Sequence, residues 1–185
     1  MNITLKQIFT IPNILSYIRI ILIPIFIYYY VNAAEAKEYY AAALIILLSG
    51  LTDMFDGLIA RKFDQITELG KIVDPIADKL TQMAIIICLL VSYPYVWILI
   101  TLFVFKELFM GINGLVLLKK GKKLDGAMWF GKVSTAVFYG ATFLLIAFPE
   151  INPEIAAALM GITGACLTLS FILYIPEFIK LHHHA

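Results

Sequence analysis

The stretch AALIILLSGLTDMFDGLIARKFDQITELGKIVDPIADKLTQMAIIICLLVS, residues 42–92, decides the fold. It reads as two long apolar runs joined by a short polar return. A helix needs about 20 mostly apolar residues to cross a bilayer. Both runs qualify, provided that the charges at their facing ends are tolerated. Those charges are regular. Asp53, Asp56, Gly57, Ala60 and Arg61 recur at three- and four-residue intervals, so they share one helix face. Gly70, Asp74 and Asp78 repeat every four residues on the next helix.

Working outward, four further runs are long enough, which gives six spans: 13–31, 38–61, 71–92, 95–118, 130–148 and 154–179. The breaks between them carry polar or turn-forming residues, such as Ser92-Tyr93-Pro94 and Pro149 to Pro153. Composition agrees. The 185 residues are 62% hydrophobic and 15% charged, with a mean hydropathy of +0.91. Soluble domains hold about 45–50% apolar and about 25% charged residues. A net charge of +1 offers no field for nucleic acid. The expectation is an all-α integral membrane protein, one domain over residues 1–180, with no cleavable signal peptide. A short interfacial helix at Asn2 to Phe9 is expected to precede the spans. Residues 181–185, with three histidines, look like a tag remnant and are excluded as metal ligands. Cys88 and Cys166 sit inside apolar runs and read as small hydrophobes.

Lysine and arginine give the orientation. Lys6, Arg61, Lys62, Lys71, Lys119, Lys120, Lys122, Lys123 and Lys180 gather on one side. The other side has only Lys37, beside Glu35 and Glu38, together with Glu150 and Glu154. Both termini are expected to be cytoplasmic, and the aspartate stripes to lie near that face of the cell membrane. The lysine run 119–123 reads as a topology signal and a contact for anionic lipid. Tyr28, Tyr29, Tyr30, Tyr39, Tyr40, Tyr93, Tyr95 and Trp97 group at the opposite side as an interfacial belt.

Ionisable groups at membrane depth are costly and mark function. Two facing stripes would bring Asp53, Asp56, Asp74 and Asp78 into one small volume. Four such charges need protons or cations beside them. Two divalent ions would balance them, and oxygen-only ligands suit Mg²⁺, or Mn²⁺ or Ca²⁺ in its place. Gly57 and Gly70 keep the walls low, so an elongated anion can approach the backbone, and Arg61 offers a forked donor to phosphate.

The pattern D-x2-D-G-x2-A-R-x8-G-x3-D-x3-D, from Asp53 to Asp78, resembles the signature of the CDP-alcohol phosphatidyltransferases. The six-span layout is similar over almost the whole chain. The resemblance implies that the four aspartates bind two metal ions. It implies that Asp56, Gly57, Ala60 and Arg61 meet a CDP-linked lipid, CDP-diacylglycerol, with Gly70 and Asn13 beside them. Asp78 would also be the general base on the acceptor hydroxyl, CMP would leave, and the chain would be a homodimer. Position alone does not separate Asp78 from Asp74 as base.

The remaining intramembrane cations bear on the acceptor. Arg19, Lys79, Lys106 and Lys132 are candidates to hold an acceptor's phosphate. The run Ile11 to Arg19, and Lys106-Glu107 with Gly131 to Thr135, resemble family members that use glycerol 3-phosphate. Those members often carry arginine where Lys106 stands. Phosphatidylglycerol and inositol phosphate are the alternative acceptors. Each residue also has a plainer role. Arg19 could snorkel or pair with an acid, Lys106 and Lys79 could balance neighbouring acids, and Asn13 could cap the first span. Two other functions compete: a cation transporter using the acids as its ion site, and a non-catalytic membrane scaffold. The charged motif occurs once and near one face, whereas transporters often carry paired repeats with sites at the midplane.

Overall fold

The computed structural model describes residues 8–93, 95–119 and 128–183, with side-chain placement left aside at residues 118, 119 and 183. Among the described residues six long helices follow one another: α1 (Ile11–Asn32), α2 (Tyr39–Lys62), α3 (Gly70–Ser92), α4 (Val96–Lys119), α5 (Trp129–Ala147) and α6 (Pro153–His183). A single 3₁₀ turn, Ala36–Glu38, leads into α2. No strand occurs among the described residues. All six helices are long and apolar enough to cross a membrane, and the protein is an all-α membrane protein of the multi-pass type. Residues 2–7 of the expected interfacial helix and most of the 119–123 lysine run lie outside the described residues.

Large apolar side chains stand on the outer surfaces of the helices, as with Leu44, Ile87, Phe105 and Ile162. In water each would forfeit about 25 cal/mol for every Å² left exposed, whereas lipid removes that cost. Inside, small and polar residues let helices approach, as is usual between membrane helices.

The chain forms two compact units. The first comprises residues 1–92 and 143–150, and the second 93–142 and 151–185. In the first, α1 packs along both α2 and α3. Its interior is built from Phe26, Ala42, Ile46, Ala77, Ile85 and Leu89. At one end Tyr30, expected in the aromatic belt, is buried instead: its hydroxyl shares a 2.7 Å hydrogen bond with Ser92 Oγ and its ring meets Tyr39 edge-on at 5.3 Å. Tyr28, Tyr40, Tyr95 and Trp97 are exposed, as a belt requires.

In the second unit α4 packs on α6. Phe130, Tyr174 and Phe178 make an aromatic core with Leu117, and the rings of Phe130 and Tyr174 meet at 4.7 Å. Gly131 lies under the Tyr174 hydroxyl, where a Cβ would collide with it. α6 runs four residues past the expected end of its span. Its last turn includes His182, whose Nε2 lies 3.3 Å from Asn113 Oδ1.

The connection from α2 to α3 shapes the site. The Phe63 N–H donates to Ile59 O and the Gln65 N–H to Ala60 O, both at 3.0 Å. Asp64 between them has φ = 52°. This is a Schellman-type stop with aspartate in the left-handed position that glycine usually fills. Thr67 then starts α3, its Oγ1 accepting the Gly70 N–H at 2.9 Å in the manner of an N-cap.

Candidate active site

The site lies in the first unit, where the N-terminal half of α1 meets the end of α2 and the start of α3. Asp53, Asp56 and Asp74 each offer a carboxylate oxygen within 4.8 Å of the others'. Two helical registers explain the convergence: Asp53 and Asp56 are one turn apart on α2, and Asp74 faces them from α3. Asp56 is nearly buried, with its side chain 4% exposed, while Asp53 (36%) and Asp74 (45%) open outward.

Arg19, from α1, enters the middle of this group. Its Nη1 lies 2.7 Å from Asp53 Oδ1 and 3.2 Å from Asp74 Oδ1, and its Nη2 pairs with Asp56 Oδ2. The side chain is fully buried. A planar guanidinium can serve three carboxylates at once because its donors diverge in a fixed fork. Of the roles open to Arg19 in the sequence, pairing with acids is the one the structure displays.

Asp78, one turn beyond Asp74, is outside the three-acid group. Gln82 Nε2 donates to both of its carboxylate oxygens, at 3.2 and 3.3 Å, and Lys79 Nζ lies 3.3 Å from Oδ2. Gln82 is itself buried. No charge or motif flagged Gln82 in the sequence, although a glutamine four residues after an acid on an apolar helix faces it by helical spacing.

Beside the acids is a cavity of about 140 Å³, lined by Asp56, Gly57, Ala60, Gly70 and Asp74 together with Asn13, Ser16, Gln65, Thr67 and Lys71. The motif residues expected to keep its walls low do line it. Gly57 also makes room for Arg61, whose guanidinium folds back to within 3.7 Å of where a Cβ would stand. Gly70 is required by its neighbours. An added Cβ would lie 2.6 Å from Asn13 Oδ1 and 3.0 Å from Thr67 Oγ1. Asn13 Nδ2 donates to Thr67 Oγ1 at 3.1 Å, so Asn13 ties α1 to the start of α3. Gln65 contributes a buried Oε1 with no hydrogen-bond partner. Leaving such an acceptor unmet costs about 1–3 kcal/mol, and a donor on a bound ligand would recover it.

Lys106 and Lys132 belong to the second unit. Lys106 is 5% exposed and lies 3.3 Å from Glu107 Oε1. Lys132 is exposed, on the first turn of α5.

The donor set fits a hard divalent cation: carboxylate oxygens only, in a compact group, with no thiol or imidazole among them. Helices of membrane length whose ends carry such a group, beside a glycine-floored cavity, offer a place within a membrane protein for a divalent cation and a ligand next to it. Comparison with known proteins states the class more closely. The CDP-alcohol phosphatidyltransferase profile matches residues 9–173, and the chain belongs to that family. It is a transferase. It is similar to the CDP-diacylglycerol–glycerol-3-phosphate 3-phosphatidyltransferase of Escherichia coli K12, at 31% identity over 87% of this chain and 90% of that protein. The enzyme of the same name from Salmonella paratyphi A is 32% identical over the same shares.

Proposed function

We propose that the protein makes phosphatidylglycerophosphate, transferring the phosphatidyl group of CDP-diacylglycerol to glycerol 3-phosphate and releasing CMP. The observation that carries this reading is the convergence of Asp53, Asp56 and Asp74 beside a cavity floored by Gly57, Ala60 and Gly70. The names of the similar bacterial enzymes support the choice of acceptor.

In this reading the diphosphate of the lipid lies along the cavity, with Arg61 donating to it. Asp53, Asp56, Asp74 and Asp78 hold two Mg²⁺ ions, for which Mn²⁺ can substitute. When bound, these ions withdraw charge from the phosphorus and stabilise the leaving oxygen. Asp78 accepts the proton of the acceptor hydroxyl. The hydroxyl oxygen forms a bond to the lipid-side phosphorus, the bond from that phosphorus to the CMP oxygen breaks, and its electron pair leaves on CMP. Support for Asp78 as base comes from its position one turn beyond Asp74 and from Gln82, which holds its carboxylate by two hydrogen bonds. Lys106, with Lys132 and Lys79, is assigned to the acceptor's phosphate. Support for Lys106 is its burial in a pair with Glu107, since ionisable groups kept at membrane depth mark function. The active site and both termini face the cytoplasm, and the working form is a homodimer, as the family likeness implies.

The test is CMP release by purified protein supplied with CDP-diacylglycerol, Mg²⁺ and one acceptor at a time. Glycerol 3-phosphate should give phosphatidylglycerophosphate, and chelation should stop it. Turnover only with phosphatidylglycerol or inositol phosphate would refute the acceptor assignment. Cation flux in proteoliposomes without nucleotide, and no CMP, would refute the enzyme reading. The protein's mass in detergent should equal two chains.

A further inference from the structure

Arg19 is the only charged residue of α1, and it is spent on the acids. It touches three carboxylates, from α2 and α3, and no part of it reaches the surface. This changes the charge available for metal. Asp53, Asp56 and Asp74 with one guanidinium leave two negative charges. Adding Asp78 with its partner Lys79 leaves the same two. One divalent ion cancels them. A second would face a neutral centre, unless it arrived with an anion of its own. A CDP-linked lipid brings one negative charge on each of its two phosphates, which is what a second divalent ion needs.

We propose that Arg19 is a built-in cation that limits the carboxylate centre to one divalent ion, so that the second ion binds together with the substrate's diphosphate. The proposal rests on the metal reading above and deepens it. Arg19 is therefore a positioning residue: it acts through the acids and not on the reacting atoms. It also explains why a long cationic side chain can be fully buried at this depth, since its charge is matched on three sides. At separations of a few ångströms in a low dielectric, removing one positive charge should strengthen the second ion's binding by about tenfold or more.

The experiment counts Mn²⁺ bound to the purified full-length protein in detergent, from the paramagnetic resonance signal of the free ion. Wild type should bind one ion per chain without nucleotide and two with CDP-diacylglycerol. Arg19→Gln should bind two in both conditions. Arg19→Lys, which keeps the charge, should return to one without nucleotide. Arg19→Met, prepared in Mg²⁺ throughout, replaces the glutamine variant if that one does not fold. Two ions on wild type without CDP-diacylglycerol would overturn the proposal while leaving the metal centre standing. So would a single ion on the folded, uncharged variant without nucleotide. No bound Mn²⁺ in any arm would overturn the metal reading itself.

Discussion

At the scale of single residues, the most informative feature is how differently the four aspartates are held. Asp53, Asp56 and Asp74 share one cation, Arg19, whereas Asp78 is oriented by Gln82. A group that takes a proton and a group that holds charge should fail differently. Asp78→Asn is expected to lower kcat by about 10²–10⁴-fold, the usual contribution of a positioned base. Its unfolding temperature should stay close to wild type, as should binding of the first Mn²⁺ ion, which rests on Asp53, Asp56 and Asp74. The second ion, bound with CDP-diacylglycerol and sharing Asp78, should bind more weakly. Asp56→Asn, by contrast, should weaken Mn²⁺ binding directly. Activity of Asp78→Asn within a few fold of wild type would remove it as base. Gly70→Ala tests the cavity wall. The new methyl would press on Asn13 and Thr67, an overpacking cost of about 1–3 kcal/mol. A lowered unfolding temperature and a raised KM for the CDP-lipid are expected. The convergence of Asp53, Asp56 and Asp74 was legible in the sequence because helical spacing places residues of one helix on one face. Asp78, expected in the same group, lies one turn farther along α3 and is held instead by Gln82 and Lys79. The partner of Arg19 was not, because it lies on other helices, and spacing within α1 says nothing about what α1 packs against. Gly70 was legible as a small wall, but not the reason, which is a contact with Asn13, 57 residues earlier in the chain.

At the scale of elements, the six apolar runs became helices with ends close to those expected, because apolar length is the quantity a bilayer selects. The stops between helices depend on local chemistry that hydropathy does not register. The end of α2 shows this. Asp64 stands at φ = 52°, a conformation that costs a side-chain-bearing residue about 1–2 kcal/mol. The turn it makes directs Gln65 and Thr67 toward the cavity. Asp64→Gly should therefore raise stability by up to about 1 kcal/mol, and Asp64→Val should lower it by at least as much. Chemical denaturation in detergent would measure both. Unchanged stability in both variants would mean that this turn is not held in the left-handed form. The aromatic belt shows the same limit of hydropathy: Tyr30 looks like its neighbours in sequence, yet it is buried because its hydroxyl finds Ser92 at the far end of α3.

At the scale of the whole molecule, the chemistry requires that the carboxylate centre open to the compartment that supplies a water-soluble acceptor. The argument for the cytoplasm is the distribution of fixed charge. Arg61, Lys62 and Lys71 flank the turn between α2 and α3, while Glu35, Glu38, Glu150 and Glu154 mark the opposite loops. Cytoplasmic loops retain lysine and arginine during insertion, so an even number of crossings should leave both termini on the side of that turn. The two native cysteines, Cys88 and Cys166, can be replaced by alanine to give a clean background. Single cysteines at Glu35 and Glu150, both exposed, should then react with a membrane-impermeant maleimide on intact cells. Cysteines at Glu68 and Lys180, also exposed, should react only after permeabilisation. The reverse pattern would put the aspartates on the outer face, away from cytoplasmic glycerol 3-phosphate. The choice of acceptor would then fail even if the metal chemistry stood. Labelling of Glu68→Cys and Glu150→Cys from the same side would instead break the alternation of the spans, and the assignment of α3, α4 or α5 as a membrane crossing would have to be withdrawn.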